Sequence, residues 1–547
     1  MLKALRVTAG LLVLWSPPMA FAETAANSAG ALATQALAGR SAPNEAELVR
    51  RLYADGGLLW SINRRPTAQA VKLVDIIRTS DTLGLRPEDY GATQLLVAEL
   101  HLLGGSVAET EWRNFDYLLS QAAVRLLIHL HYGRVAPAAA GFELPARAAD
   151  LDVAATVGAL AKASDVGTAV AKVEPQFYHY VLLKSALLRY RLLATQPGLT
   201  QLPAPGRKVP YPGDHYPGVP ALRRLLLALG DLPAGEIPAG ADTAELKLDP
   251  YLVTALKRFQ QRHGLQPDGA LGALTFAALT TPMAQRVRQI ELTLERWRWL
   301  PALDTPPIIV NIPQFQLFAL RTTADRVADI EQMPVIVGKS YPRTQTPVFV
   351  GALKYVIFRP FWDIPHDITV HEVLPQWRAH PDYLSRNHFE IVRGDEVIAE
   401  QSLTPAVLAG LTTGTLRLRQ RPGDDNALGP IKFVFPNAHD VYLHGTPVHQ
   451  LFAQSRRAFS HGCIRVADPV ALAAYVLRDT PGQWTTQKIM AAMQGSQSLR
   501  VNLAQPIKVM ILYGTALATE AGPVDFFDDV YGNDQRLVRL LWPVTRT

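Results

Sequence analysis

The stretch Val441-Tyr442-Leu443-His444-Gly445-Thr446-Pro447, followed after a spacer by Ser460-His461-Gly462-Cys463-Ile464-Arg465-Val466, decides how the rest of the chain is read. Its first half alternates. Val441 and Leu443 fall on one side, Tyr442 and His444 on the other, which is the period of a β-strand. An imidazole and a phenol thus share the face away from the apolar side, and on these residues alone a surface pair on an edge strand is the plainer reading. The second half sets Cys463 ahead of an apolar helix, with Asp468 to cap it, Pro469 for its first position, and Leu472, Val476 and Leu477 as its buried face. The thiol is therefore expected in a strand-to-helix turn after Gly462. Unpaired backbone N–H groups there can stabilise a thiolate and, later, an oxyanion. Two imidazoles lie near in sequence, His444 and His461, and an imidazole can draw off the thiol's proton.

Short apolar or alternating runs surround this stretch at 308–312, 315–320, 335–337, 355–358, 431–435 and 441–444. Many short strands between turns predict a mostly-β core, sandwich or barrel-like. Residues 372–429 are less regular, with helix-like pieces, and are expected to form an insertion over the sheet. Upstream, residues 44–193 are rich in Ala and Leu at helical spacing, as in Phe115, Leu119, Ala122, Leu126 and Leu130, and predict a helical scaffold. Pro and Gly crowd 196–220, an irregular link. A small three-helix unit follows. Leu222, Leu225, Leu226 and Leu229 form one face ending at Gly230; Leu252, Ala255, Leu256 and Phe259 form a second ending at Gly264; Gly272 and Thr275 open a third. A charged helix over 286–300 leads into the strands.

At 547 residues the chain exceeds one hydrophobic core, and 48% hydrophobic with 19% charged residues lets it bury several. The net charge of +6 is scattered, which argues against nucleic acid as a partner while suiting a mildly anionic polymer. Lys3 and Arg6, a short apolar run and Ala20-Phe21-Ala22 read as an export signal over 1–22. An uncleaved membrane tether or peripheral association is the lesser alternative. A single cysteine cannot form an internal disulfide, so a lone thiol in an oxidising compartment is a liability unless it is used; a buried structural cysteine is the plain alternative. His439, His444 and His449 recur every five residues, a spacing that aligns them on neither strand nor helix, and no second thiol exists, so neither a metal nor another cofactor is expected.

His-Gly-Thr, a spacer at 445–459, then Ser-His-Gly-Cys-Ile-Arg resembles the signature of the L,D-transpeptidase (YkuD-like) catalytic domain. Asn426-Ala427-Leu428-Gly429, Lys432-Phe433 and Phe435-Pro436-Asn437 look like its large Gram-negative branch. Phe259-Gln260, His263-Gly264-Leu265 and Asp268-Gly269 resemble a small peptidoglycan-binding module. The resemblance implies a multidomain α+β chain: an α-helical scaffold at 44–215, a three-helix peptidoglycan-binding-like module at 216–282, and a mostly-β catalytic domain at 286–495 with a capping insertion at about 372–429. A segment at 496–547 completes the catalytic or the scaffold domain.

It implies Cys463 as nucleophile, His444 as its base, and the Gly445 carbonyl holding the imidazole's other nitrogen. His461, with the Gly462 and Cys463 amides, would shape the oxyanion site. Tyr442, Arg465 and Trp362 are candidate substrate contacts. The sequence departs at Gly445, where relatives often carry Asp; the carbonyl role is indifferent to that side chain. The implied activity joins peptidoglycan stem peptides, a donor tetrapeptide and an acceptor amine, into 3-3 cross-links through a cysteine thioester in the periplasm. Acylation by carbapenems is implied as well. A carboxypeptidase acting on stem tetrapeptides and an inactive wall-binding scaffold are the alternatives, and the oligomeric state is left open.

Overall fold

The computed structural model describes residues 44–543, apart from short segments at 105–107, 146, 148–149, 237–244, 302, 324–329, 342–343, 401 and 521. The expected export signal at 1–22 lies outside the described residues. Among the described residues no helix is long and apolar enough to cross a membrane.

Polar caps start the helices where the sequence places them. In Pro250–Arg262, Asp249 Oδ1 accepts from the N–H groups of Tyr251 and Leu252, each at 2.9 Å, and Pro250 occupies the first turn, where no N–H is needed. The N-terminal helices, from Glu45–Leu52 through Glu109–Tyr132 to Val166–Ala171, enclose one core around Trp60, Leu73, Phe115 and Leu127. Helix Tyr178–Ala194 leaves that core. Its Tyr180, Leu183, Leu187 and Tyr190 pack instead with the three helices Val219–Leu229, Pro250–Arg262 and Ala273–Thr280.

Helix Met283–Arg298 is the spine between the helical body and the barrel. Its Glu295, Arg296 and Arg298 are only 2%, 5% and 0% exposed. Arg298 pairs with Glu295 at 3.1 Å, and Arg296 with Asp534 of the C-terminal helix Asn533–Leu541 at 2.6 Å. Gly133, at φ +85°, ends the long scaffold helix against this spine. A Cβ there would lie 2.6 Å from Trp299 Nε1, so only glycine permits the approach.

Nine strands form the main sheet, in the order Ala458–Ser460, Ile330–Gly338, Ile464–Val466, Leu443–His444, Ile431–Val434, Phe349–Phe358, Leu499–Leu512, Ile308–Asn311 and Gln316–Leu320. Gln316–Leu320 also pairs with Ile330–Gly338, which closes the sheet into a barrel. Alternate residues, among them Val310, Leu317, Val335, Val356, Phe433, Leu443, Ile464 and Val509, fill its core. The C-terminal segment supplies Leu499–Leu512 between two central strands. Its hairpin, Ala516–Ala518 with Val524–Phe526, then reaches back into the core of the three-helix unit.

Three expectations change here. The strand carrying His444 is interior, antiparallel to Ile431–Val434 and parallel to Ile464–Val466, so the histidine is not on a sheet edge. Cys463 precedes a strand, not a helix: Ile464 and Val466 are fully buried between two neighbouring strands, and that ladder takes the apolar run. Helix Pro469–Leu477 starts only after it, with Asp468 Oδ1 accepting from Ala471 N at 2.8 Å. Finally, the insertion starts earlier than residue 372. Trp362–Asp363 already belongs to its own sheet, with Arg417–Gln420, Phe389–Arg393 and Glu396–Val397, over a separate core of Ile364, Trp377, Ile391, Leu411 and Leu418.

Candidate active site

In the parallel pair, Leu443 lies opposite Ile464 and His444 opposite Arg465, while Ile464 N donates to the Tyr442 carbonyl at 3.0 Å. Alternation sends Leu443 and Ile464 into the barrel core and turns Tyr442, His444, Cys463 and Arg465 to the other face. Lys432 joins them from the adjacent strand, in register with His444, its Nζ 3.7 Å from the centre of the Tyr442 ring. The Tyr442 and His444 rings meet edge to face at 5.7 Å. Trp362, on the first strand of the insertion, approaches the Tyr442 hydroxyl.

The loop before the cysteine is tied at several points. Gly462 sits at φ +121°, which a side chain rarely adopts. Its carbonyl accepts from Thr346 Oγ1 at 2.8 Å, and that hydroxyl in turn accepts from Gly338 N at 2.9 Å. Ser460 Oγ donates to the Cys463 carbonyl at 2.5 Å and accepts from Gly462 N at 3.2 Å. The Gly462 amide is thus engaged within the loop rather than turned toward a substrate. His461 reaches the insertion, its Nε2 2.6 Å from Glu372 Oε1.

Cys463 is half-buried, and its Sγ donates to the Asp440 carbonyl at 3.6 Å. Burial pushes the thiol up, and hydrogen bonding from Tyr442 with the charge of Lys432 pulls only part of the way back. His444 is 4% exposed. Burial, then the charges of Arg465 and Lys432, depress it to about 3, against the opposing carbonyls of Gly445 and Leu428. The Gly445 and Leu428 carbonyls are near enough to favour a protonated ring, yet the buried Nδ1 has no hydrogen-bond partner. Among the described residues no hydrogen bond joins Cys463 to His444. The thiol and the imidazole are each pushed toward their neutral forms, and they share one face with Lys432 and Arg465. Arg465 forms no ion pair among the described residues, its Nε is buried and unpartnered, and burial lowers its pKa.

Residues 306–483 match the family model of the L,D-transpeptidase catalytic domain (YkuD). Over that third or so of its length, the chain is similar to a YkuD-type L,D-transpeptidase catalytic domain. Residues 47–187 match a scaffold domain, and 215–279 match a "Putative peptidoglycan binding domain". The chain is 28% identical over 272 residues, 49% of its length, to a Haemophilus influenzae protein named "Putative L,D-transpeptidase". It spans about half of that curated relative, 53%.

Tyr442, His444, Cys463 and Arg465 share one face of the sheet with Trp362 near the Tyr442 hydroxyl, while His461 turns to Glu372 and the Gly462 amide is held within its loop. Four further residues that sequence reasoning did not assign join this region. Lys432 had a signal, a lone charge inside the apolar strand Ile431–Val434. Asp440 enters through its carbonyl, at φ +51°, which no side-chain pattern shows. Thr346 and Glu372 lie 116 and 89 residues from their partners, beyond any local signal. The histidines at five-residue spacing diverge: His439 pairs with Glu143 at 3.0 Å, and His449 lies beside Phe452.

Proposed function

We propose that this chain is an exported peptidoglycan L,D-transpeptidase that forms 3-3 cross-links through a thioester on Cys463. One observation carries the reading. A half-buried thiol shares a polar face with a neutral imidazole and two cations that have no carboxylate partner within hydrogen-bonding range among the described residues. A buried, unpaired cation is costly unless something compensates it, and the free carboxylate of a stem's terminal D-Ala has the complementary charge.

With that carboxylate held toward Arg465, Cys463 Sγ turns from the Asp440 carbonyl and attacks the carbonyl between the third and fourth stem residues. His444, neutral at working pH, takes the thiol proton. The C–N bond breaks, the departing D-Ala amine receives the proton from His444, and a thioester remains. The acceptor's side-chain amine then attacks the thioester, His444 takes its proton, and as the C–S bond breaks that proton passes from His444 to the sulfur, restoring the thiol and the neutral ring. The insertion, held to the motif loop by Glu372 and to Tyr442 by Trp362, limits water, which would otherwise end the reaction as a carboxypeptidase.

Intact-protein mass after meropenem, compared with Cys463→Ala, tests the acylatable thiol: one adduct on the wild type and none on the variant is expected. Muropeptide products decide transfer against hydrolysis. New dimers support the proposal, and tripeptides alone overturn it.

A further inference from the structure

A cleft of about 590 Å³ separates the three-helix unit from the barrel, well inside the range of ligand-sized sites. Its walls come from three distant parts of the chain. Gln261, Gln266 and Pro267 belong to the peptidoglycan-binding-like unit; Gln314, Gln454 and Arg457 to the barrel; Pro523, Asp525 and Phe527 to the C-terminal hairpin and its exit. Gln454 and Arg457 of the barrel wall lie in the spacer between His444 and Cys463, and Arg457 leads directly into Ala458–Ser460 and the cysteine loop.

Several of the polar groups here are uncommitted amides. The side-chain amides of Gln261, Gln266 and Gln454 make no hydrogen bond among the described residues, although each offers two donors and an acceptor. Arg457 is spent on the backbone, donating to the carbonyls of Val335, Gln454 and Phe315 at 3.2, 2.8 and 3.0 Å, so it shapes the loop. Arg262 and Asp231 close the back wall as a buried bidentate pair at 2.5 and 2.6 Å, which removes both charges from the cleft. Asp525 faces the cleft beside that pair with no hydrogen bond or ion pair of its own among the described residues. Burial, with Asp231 nearby, lifts it to about 7, so near neutral pH it can donate as well as accept. Free amides, one protonatable carboxyl and small apolar surfaces at Pro267 and Pro523, with Arg258 on Glu236 and Arg457 turned onto backbone carbonyls, suit an uncharged chain of hydroxyls and acetamido groups. They do not suit an anionic peptide.

We propose that this interdomain cleft binds the glycan strand of peptidoglycan and seats it against the loop that carries Cys463. The proposal rests on the wall-polymer reading above and deepens it: the glycan is gripped between module and barrel, not by the module alone. Holding the strand there raises the local concentration of attached stems at the thiol.

The test uses the full chain with two probes, glycan strands stripped of their stems by an amidase and then amidated at the freed lactyl carboxylates so that they stay uncharged, and soluble stem peptides free of sugar. Wild type is expected to bind stripped strands. Gln261→Ala with Gln454→Ala, and separately Asp525→Ala, are expected to bind at least tenfold more weakly, with unfolding temperature and meropenem acylation preserved. Wild type that ignores stripped strands, variants that bind them as well as wild type, or capture of a protein but no glycan at this face would each overturn the inference. The transferase reading fails separately, by absence of acylation on soluble stems or meropenem, so the two failures can be told apart.

Discussion

The helical body and the catalytic face treat buried charge in opposite ways. Around the spine and the module, buried arginines meet carboxylates: Arg298 with Glu295, Arg296 with Asp534, Arg262 with Asp231. Arg286 is the exception, shared between Gln289 at 2.8 Å and the Ala278 carbonyl at 3.0 Å. On the catalytic face, Lys432 and Arg465 are substantially buried, and among the described residues neither forms an ion pair. Burial keeps His444 neutral, and both charges add to that effect. A charge compensated inside the protein holds elements together; one left uncompensated stores a demand for an outside partner. The difference separates the part of the molecule that is built to stay from the part built to bind.

The contrast is broken most decisively at the sulfur. Cys463→Ala should abolish meropenem adducts and stem turnover while leaving the unfolding temperature within a degree or two. His444→Gln should slow acylation by about 10²–10⁴-fold, read by stopped-flow mass analysis. Residual turnover near wild type in either variant would remove the site from the reaction.

Stability sharpens the comparison next. Arg262→Met strands the buried Asp231 carboxylate and should cost about 3–5 kcal/mol in denaturant unfolding. Arg465→Met strands nothing and should leave stability unchanged or raised, while stem turnover falls tenfold or more. Equal destabilisation by the two would show that the distinction is false.

The pH response is a smaller effect with a definite sign. His444 titrates near 3 in the folded chain, well below the ordinary histidine value of about 6.5. Between those values the unfolded state binds more protons, so the contribution is fully present above about pH 6.5 and is lost as pH falls toward 3. His129 and His263, also buried and depressed, act in the same direction. His444→Gln should therefore flatten the acid limb of stability measured from pH 7 to 4, and an unchanged slope would contradict the burial argument.

Smallest is Glu372→Gln. The pair with His461 is half exposed, so the stability change should stay below about 1 kcal/mol. The ratio of hydrolysis to transfer should nonetheless rise if the insertion shields the thioester, and an unchanged ratio would separate this contact from water exclusion.

Local chemistry made much of this readable before any fold was known. Alternation at 441–444, the cap at Asp468 and the leucine faces of the three-helix unit all act within a few residues, where steric and hydrogen-bonding preferences are strongest. Long-range packing settled the rest. Whether Ile464–Val466 became strand or helix depended on Leu443–His444 on one side and Ile330–Gly338 on the other. Whether His444 was a surface histidine or a buried neutral base depended on Lys432, Arg465 and the chain at 428–430 closing around it. Burial and proximity between distant segments set those outcomes, and neither quantity exists until the barrel closes.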